Sequence, residues 1–334
     1  MSKHGGNILE AARRCGCAPE KIVDFSSNIN SRSPKVTVRV TRDMIRPYAD
    51  PEYGSLKRAV AARYGLKSSQ TALFNGASSA IFALFETLRP KTCLLYAPLY
   101  GEYKEAAARY ASKVRLIDRF RALGAKPPRG STVVFVNPST PDGKWYDLEP
   151  LMALWAKRDC TVIVDESFLE FTGRPSVRRF LKRHKKLYIV QSLTKFYACA
   201  GVRVGALFSQ PKNLAALKRP AWPISSFDAA YMGEALKDEN HAKRSRKEQA
   251  KWHGELAKLL GASPLFSKVY PSEANYIMVK SRKPAAEMAA RLLEHRILVR
   301  NCSNFDFLGT YHLRFAVKDK KSHKHLKKAL HALA

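Results

Sequence analysis

Cysteine is scarce and unpaired in this chain. Cys15, Cys17, Cys93, Cys160, Cys199 and Cys302 form no Cys-x-x-Cys pair and join no spaced Cys/His cluster, which argues against a disulfide framework and against a metal site. No apolar run approaches the roughly 20 residues that a membrane helix needs. The opening Met1-Ser2-Lys3-His4-Gly5-Gly6 lacks the apolar stretch of a secretory signal, so a cytoplasmic protein with no membrane span is expected. Acidic residues are also in short supply: 28 Asp and Glu against 59 Lys and Arg leave a formal charge of +31. Such a chain attracts anions at long range, phosphorylated metabolites and nucleic acid among them. The charge falls in runs, Arg178-Arg179, Lys182 to Lys186, Lys243 to Lys251 and Lys318 to Lys328, that alternate with apolar positions, as solvated helix faces do. The aromatics form no stacking platform, which disfavours nucleic acid as the partner.

What is present is a core. Apolar residues make up 46% of 334 residues, enough for one large and one small domain. From about 54 to 210, β-rich runs alternate with helical patterns. Helices are expected at Leu56 to Tyr64, Ser78 to Leu88, Glu102 to Tyr110 and Leu148 to Lys157. Strands are expected at Thr92 to Tyr96, Val133 to Val136, Val162 to Val164, Leu187 to Val190 and Val204 to Phe208. That alternation predicts an α/β fold, a mostly parallel sheet covered on both faces. Beyond Pro223, one long helical stretch from about Phe227 to Leu260 leads to a smaller β/α mixture, with strands at Tyr276 to Val279, near Ile297 to Val299 and at His312 to Ala316. The expected division is an N-terminal segment 1–47 packing with the small domain or reaching a partner subunit, a large domain 48–225, and a connecting helix with a small C-terminal domain 226–334.

Chemistry concentrates in the large domain. Lys195 follows an apolar strand in Ser192-Leu193-Thr194-Lys195, and Arg203 follows in Gly201-Val202-Arg203-Val204-Gly205. A lysine on a loop is ordinarily a surface residue. One at the carboxyl edge of an open α/β sheet lies where ligands bind, and partial desolvation makes its amine a nucleophile able to form an imine. Arg203 offers a planar fork for phosphate. Asn75-Gly76-Ala77-Ser78-Ser79 opens a helix with small residues, which is either a plain cap or a cradle of backbone N–H groups for an anion. Asp165 ends the strand Thr161-Val162-Ile163-Val164; it either caps a turn or faces a ring nitrogen and keeps it protonated. Tyr100 follows another strand and can stack on a flat ring.

In order along the chain these elements are a small-residue helix start, an aromatic, the loop Asn137-Pro138-Ser139-Thr140-Pro141-Asp142-Gly143, a strand-end Asp, and Ser-x-x-Lys with Arg. The order resembles the fold-type-I pyridoxal-phosphate (PLP) enzymes, in the branch containing histidinol-phosphate aminotransferases and threonine-phosphate decarboxylases, over His4 to about Val317. The resemblance implies that Gly76, Ala77, Ser78, Ser192 and Arg203 hold the cofactor phosphate. It further implies that Tyr100 stacks on the ring, Asp165 pairs with the ring nitrogen and Lys195 is the Schiff-base lysine. Tyr48, in Arg46-Pro47-Tyr48-Ala49, matches a tyrosine that reaches the neighbour's cofactor phosphate, which implies a homodimer with shared active sites. Arg314 falls at the carboxylate-binding arginine and Arg300 is a second anion ligand, with His4 and Asn30 facing the substrate.

Within that branch the chain is more similar to the decarboxylases. His4-Gly5-Gly6-Asn7, Asp24-Phe25-Ser26-Ser27-Asn28-Ile29-Asn30, Asp165-Glu166-Ser167-Phe168 and Ser192 to Ala198 all resemble their segments. Phe168 stands where the aminotransferases carry a Tyr that bonds the cofactor's ring oxygen. Thr140 stands where most relatives carry the second Asn of Asn-Pro-Asn-Asn-Pro-Thr-Gly, and its hydroxyl has a shorter reach. The implied reaction is decarboxylation of L-threonine O-3-phosphate or L-serine O-phosphate for cobamide nucleotide-loop synthesis, with a histidinol-phosphate-type aminotransferase as the alternative. A basic nucleic-acid-binding protein is the remote one.

Overall fold

A computed structural model of the chain describes residues 5–334; His4, one of the expected substrate-facing residues, lies outside them. Its centre is a seven-stranded sheet in the spatial order Thr71–Asn75, Val204–Phe208, Leu187–Ser192, Thr161–Asp165, Thr132–Val136, Thr92–Ala97 and Lys113–Asp118. Val204–Phe208 is antiparallel to both neighbours, and every other pairing is parallel. The mostly parallel α/β sheet expected from the sequence is therefore the fold.

The central strands read as unbroken apolar runs because both of their faces are covered. Side chains alternate across the sheet, so Val133, Phe135, Val162, Val164 and Ile189 enter a core with Trp155 on one face. Val134, Ile163 and Val190 enter another with Ile81, Leu84 and Phe85 on the opposite face. The helices Gly76–Leu88, Gly101–Tyr110 and Glu149–Lys157 lie close to their expected bounds.

Two strands of this sheet escaped the sequence reading. Lys113–Asp118 pairs on one side only, and its first residues are exposed, so it carries the charge of an edge strand rather than an apolar run. Thr71–Asn75 forms the opposite edge. The long helix expected from Phe227 to Leu260 is two helices, Ser226–Lys237 and His241–Gly261. Asp238 separates them. Its carboxylate accepts from the Lys35 N–H at 3.1 Å and from Arg244 Nη2 at 2.5 Å, and such short polar side chains compete with helix hydrogen bonding.

The C-terminal part builds an antiparallel four-stranded sheet, Arg300–Asn301, His312–Ala316, Tyr276–Ser281 and Phe266–Val269. Near the N-terminus, Val23–Asp24 pairs in parallel with Ile297–Leu298, which inserts Phe25 into a core with Leu256, Met288, Phe315 and Leu326. Residues 24–30 run on from there to the large domain, where the Asn30 N–H donates to Lys195 O.

Candidate active site

Five parallel strands end on one side of the large sheet, at Asn75, Ala97, Val136, Asp165 and Ser192. Each is followed within a few residues by a chemically equipped segment, as expected of the carboxyl edge of an open sheet. A cleft of about 1170 Å³ lies there. Tyr100, Thr140, Asp165, Phe168, Lys195, Arg300 and Arg314 all line it, together with Asn28 and Ser167. Residues far apart in sequence thus face a single space.

Lys195 is enclosed. Its Nζ lies 5.0 Å from the centre of the Phe168 ring and 5.9 Å from that of Tyr100. Burial pushes its amine below the ordinary lysine value, Arg203 and Arg314 push the same way, and Asp165 opposes them. A lysine so placed supplies a neutral, nucleophilic amine more readily than a solvated one. Asp165, itself buried, accepts from Tyr103 Oη at 2.9 Å and from the Ser167 N–H at 2.8 Å. The second of these residues lines the cleft, and neither was singled out in the sequence.

The start of the helix Gly76–Leu88 forms the expected cradle. Gly76 adopts a left-handed φ of 72°, and a Cβ there would collide with the Arg203 guanidinium. Gly205 serves the same approach from the strand side, since a Cβ on it would strike the backbone of Gly76 and Ala77. Ser78 Oγ and Tyr100 Oη share a hydrogen bond of 3.2 Å. Ser192 is buried, with its Oγ 3.3 Å from Thr194 Oγ1. Backbone N–H groups, a hydroxyl and a guanidinium converge, which is the donor set of a phosphate site.

At the other end, buried Arg314 donates to Thr140 Oγ1 at 3.0 Å and to the Ser26 carbonyl at 3.2 Å. With the Asn28 amide turned so that its oxygen faces the guanidinium, that oxygen accepts from both Nη atoms, at 3.1 and 3.3 Å. These acceptors are all neutral, so the guanidinium keeps its charge for an anion in the cleft. Arg300 donates to Asn304 Oδ1 at 2.8 Å, and Lys104 Nζ meets Asp306 Oδ1 at 2.6 Å.

Gly76, Ala77, Ser78, Ser192 and Arg203 adjoin the cleft without lining it, Ser78 through its bond to Tyr100, and two further expected residues lie away from it. Asn30 does not line the cleft: its amide donates to Phe196 O at 2.8 Å and Ser245 Oγ at 2.9 Å, and its carbonyl accepts from the Arg32 N–H. Its backbone N–H donates to Lys195 O at 3.0 Å. It braces the lysine loop from behind, and Asn28, two residues earlier, occupies the cleft instead. Tyr48 is 81% exposed and stacks on Trp222 with ring centres 4.6 Å apart, outside the cleft of its own chain.

Residues 20–333 match the family described as aminotransferase class I and II. The chain is 31% identical to the threonine-phosphate decarboxylase of Salmonella typhimurium, over 98% of this chain and 96% of that one. It is also 31% identical to the adenosylcobalamin biosynthesis bifunctional protein CobDQ of Leptospira interrogans, covering 97% of this chain but 40% of that longer protein. Among solved structures, the histidinol-phosphate aminotransferase of Clostridium acetobutylicum superposes with a TM-score of 0.79 at 26% identity, over 93% of this chain and 99% of that one.

Proposed function

The chain belongs to the aminotransferase class I and II family, and from that premise we propose that it is a PLP-dependent decarboxylase of L-threonine O-3-phosphate, L-serine O-phosphate or both. The products would be aminopropanol phosphate or ethanolamine phosphate, for the nucleotide loop of cobamides. The observation that carries the choice of reaction is the end-to-end 31% identity to a threonine-phosphate decarboxylase.

The cleft fits PLP. Gly76, Ala77, Ser78, Ser192 and Arg203 would hold its phosphate, the N–H groups and guanidinium being brought together by Gly76 and Gly205. Tyr100 would stack on its ring, with Phe168 and Thr140 lining the cleft nearby. Lys195 would carry it through Nζ. When bound, the cofactor supplies a conjugated electron sink for the bond broken at the substrate's Cα. Asp165, held by Tyr103 and Ser167, would keep a proton on the ring nitrogen. Arg314, with Arg300 as a second cation, would anchor substrate anions, and that anchoring decides which Cα bond stands perpendicular to the ring. Presenting the carboxylate there gives decarboxylation; presenting Cα–H gives transamination. Lys195 Nζ, freed when the substrate's amine takes its place, would take up the proton that the substrate's ammonium gives up. Departure of carbon dioxide leaves an electron pair at Cα, and Lys195 Nζ would deliver that proton to quench it.

The neighbour completes the proposal. Exposed Tyr48 adjoins an apolar groove of about 820 Å³ lined by Ala49, Tyr53, Leu56, Ala59 and Ala229, which supports a homodimer in which Tyr48 reaches the partner's cofactor phosphate. Among the described residues no helix is long and apolar enough to cross a membrane, in keeping with a cytoplasmic location. The test is carbon dioxide release from both phosphorylated amino acids with no keto acid present. Nitrogen transfer to 2-oxoglutarate at a comparable rate would favour a histidinol-phosphate-type aminotransferase instead.

A further inference from the structure

Arg119 lies just past the charged edge strand, in sequence that carries no recognisable motif, yet it is 2% exposed. Its guanidinium has five N–H donors, and each of them is used. Nε donates to Pro98 O at 3.2 Å. Nη1 donates to Asp142 Oδ2 at 3.1 Å and Tyr146 Oη at 3.0 Å. Nη2 donates to Thr140 O at 3.4 Å and to Asp142 Oδ1. Asp142 also accepts from Ser139 Oγ at 2.8 Å.

All of these acceptors but Tyr146 belong to two of the loops that present side chains to the cleft. Pro98 leads into Tyr100, and Thr140 and Asp142 are the heart of loop 137–143. A planar fork bonded in all directions is rigid in a way that a flexible ammonium is not. We propose that Arg119 is a positioning residue for the active site: it locks the Tyr100 loop to the Thr140 loop and so sets where Thr140 holds Arg314. It touches neither substrate nor cofactor. Its influence runs through the Thr140 hydroxyl, which accepts from Arg314, and through the Tyr100 ring.

The inference rests on the cleft being the active site described above. Arg119→Met alone would strand the buried Asp142 carboxylate and unfold the loop, whereas removing both charges of a buried pair is tolerated. The informative protein is therefore Arg119→Met/Asp142→Asn, loaded with cofactor. Its melting temperature should stay close to the parent's. The KM for phosphorylated amino acid should rise about ten-fold, more than kcat falls, as expected for lost substrate anchoring. The pH midpoint of the cofactor's visible band should move as well. Arg119→Lys, which keeps a positive charge opposite Asp142 but not the planar fork, should shift KM the same way by a smaller factor, and it serves if the double variant does not fold. A folded variant with parental KM and band midpoint would overturn the role of Arg119. An inactive parent enzyme would instead overturn the decarboxylase reading and leave Arg119 to be judged by the band alone.

Discussion

Arg314 Nη1 donates to Thr140 Oγ1 at 3.0 Å, joining residues 174 positions apart in sequence. The donor sits on a strand of the small sheet and the acceptor on a loop at the edge of the large one. The same hydroxyl hydrogen-bonds the Tyr276 side chain. One short side chain thereby ties the proposed anion site to Tyr276, which packs edge-on against Phe168.

Thr140→Val keeps the shape and removes that acceptor. Hydrogen bonds to charged groups contribute about 1.5–3 kcal/mol, so KM for the phosphorylated substrate should rise about ten-fold or more while the protein still folds. Steady-state kinetics check this, and an unchanged KM would uncouple Thr140 from the anion site.

Phe168 packs edge-on against Tyr276 at 5.0 Å and beneath the Lys195 amine. Phe168→Tyr introduces a hydroxyl on the cofactor's side of the cleft, and the absorption spectrum of the loaded enzyme should shift. An unaltered spectrum would mean that residue 168 is not beside the ring.

Five histidines, His184, His241, His253, His312 and His323, lie below their ordinary value of 6.5, in each case chiefly through burial. In the interval between those lowered values and 6.5 the unfolded chain binds more protons than the folded one. Stability is thus lost as pH falls through that interval. Melting temperature at constant ionic strength should drop between about pH 7.5 and 5.5; a flat or rising trend would contradict this.

Shared active sites make a complementation test possible. Lys195→Ala and Tyr48→Ala subunits should each be inactive or nearly so, and mixing them under conditions of subunit exchange should restore activity in hybrid dimers. No recovery would count against Tyr48 reaching its neighbour's cofactor.

Most of the site was legible because each chemical side chain terminates an apolar strand or opens a helix. Asp165, Lys195 and Gly76 stand at such junctions, and the sheet brings the junctions to one edge. Tyr103 and Arg119 were not legible: one lies within a helix and the other beyond a charged edge strand, and only tertiary contact gives them partners. Asn28 and Asn30 show a different limit. They flank Ile29 in an irregular segment, so neither strand nor helix periodicity says which of them faces the cleft. The division of residues 227–260 was hidden because Asp238 finds its partners, Lys35 and Arg244, through the fold.

The central claim is a covalent link between the Lys195 amine and the cofactor aldehyde. Borohydride reduction of the protein loaded with pyridoxal phosphate, followed by peptide mapping, tests it directly. The mass of the reduced cofactor should appear on the peptide containing residue 195 and vanish in Lys195→Ala, with turnover lost by about 10³-fold or more. A colourless protein, or a label on any other lysine, would contradict it.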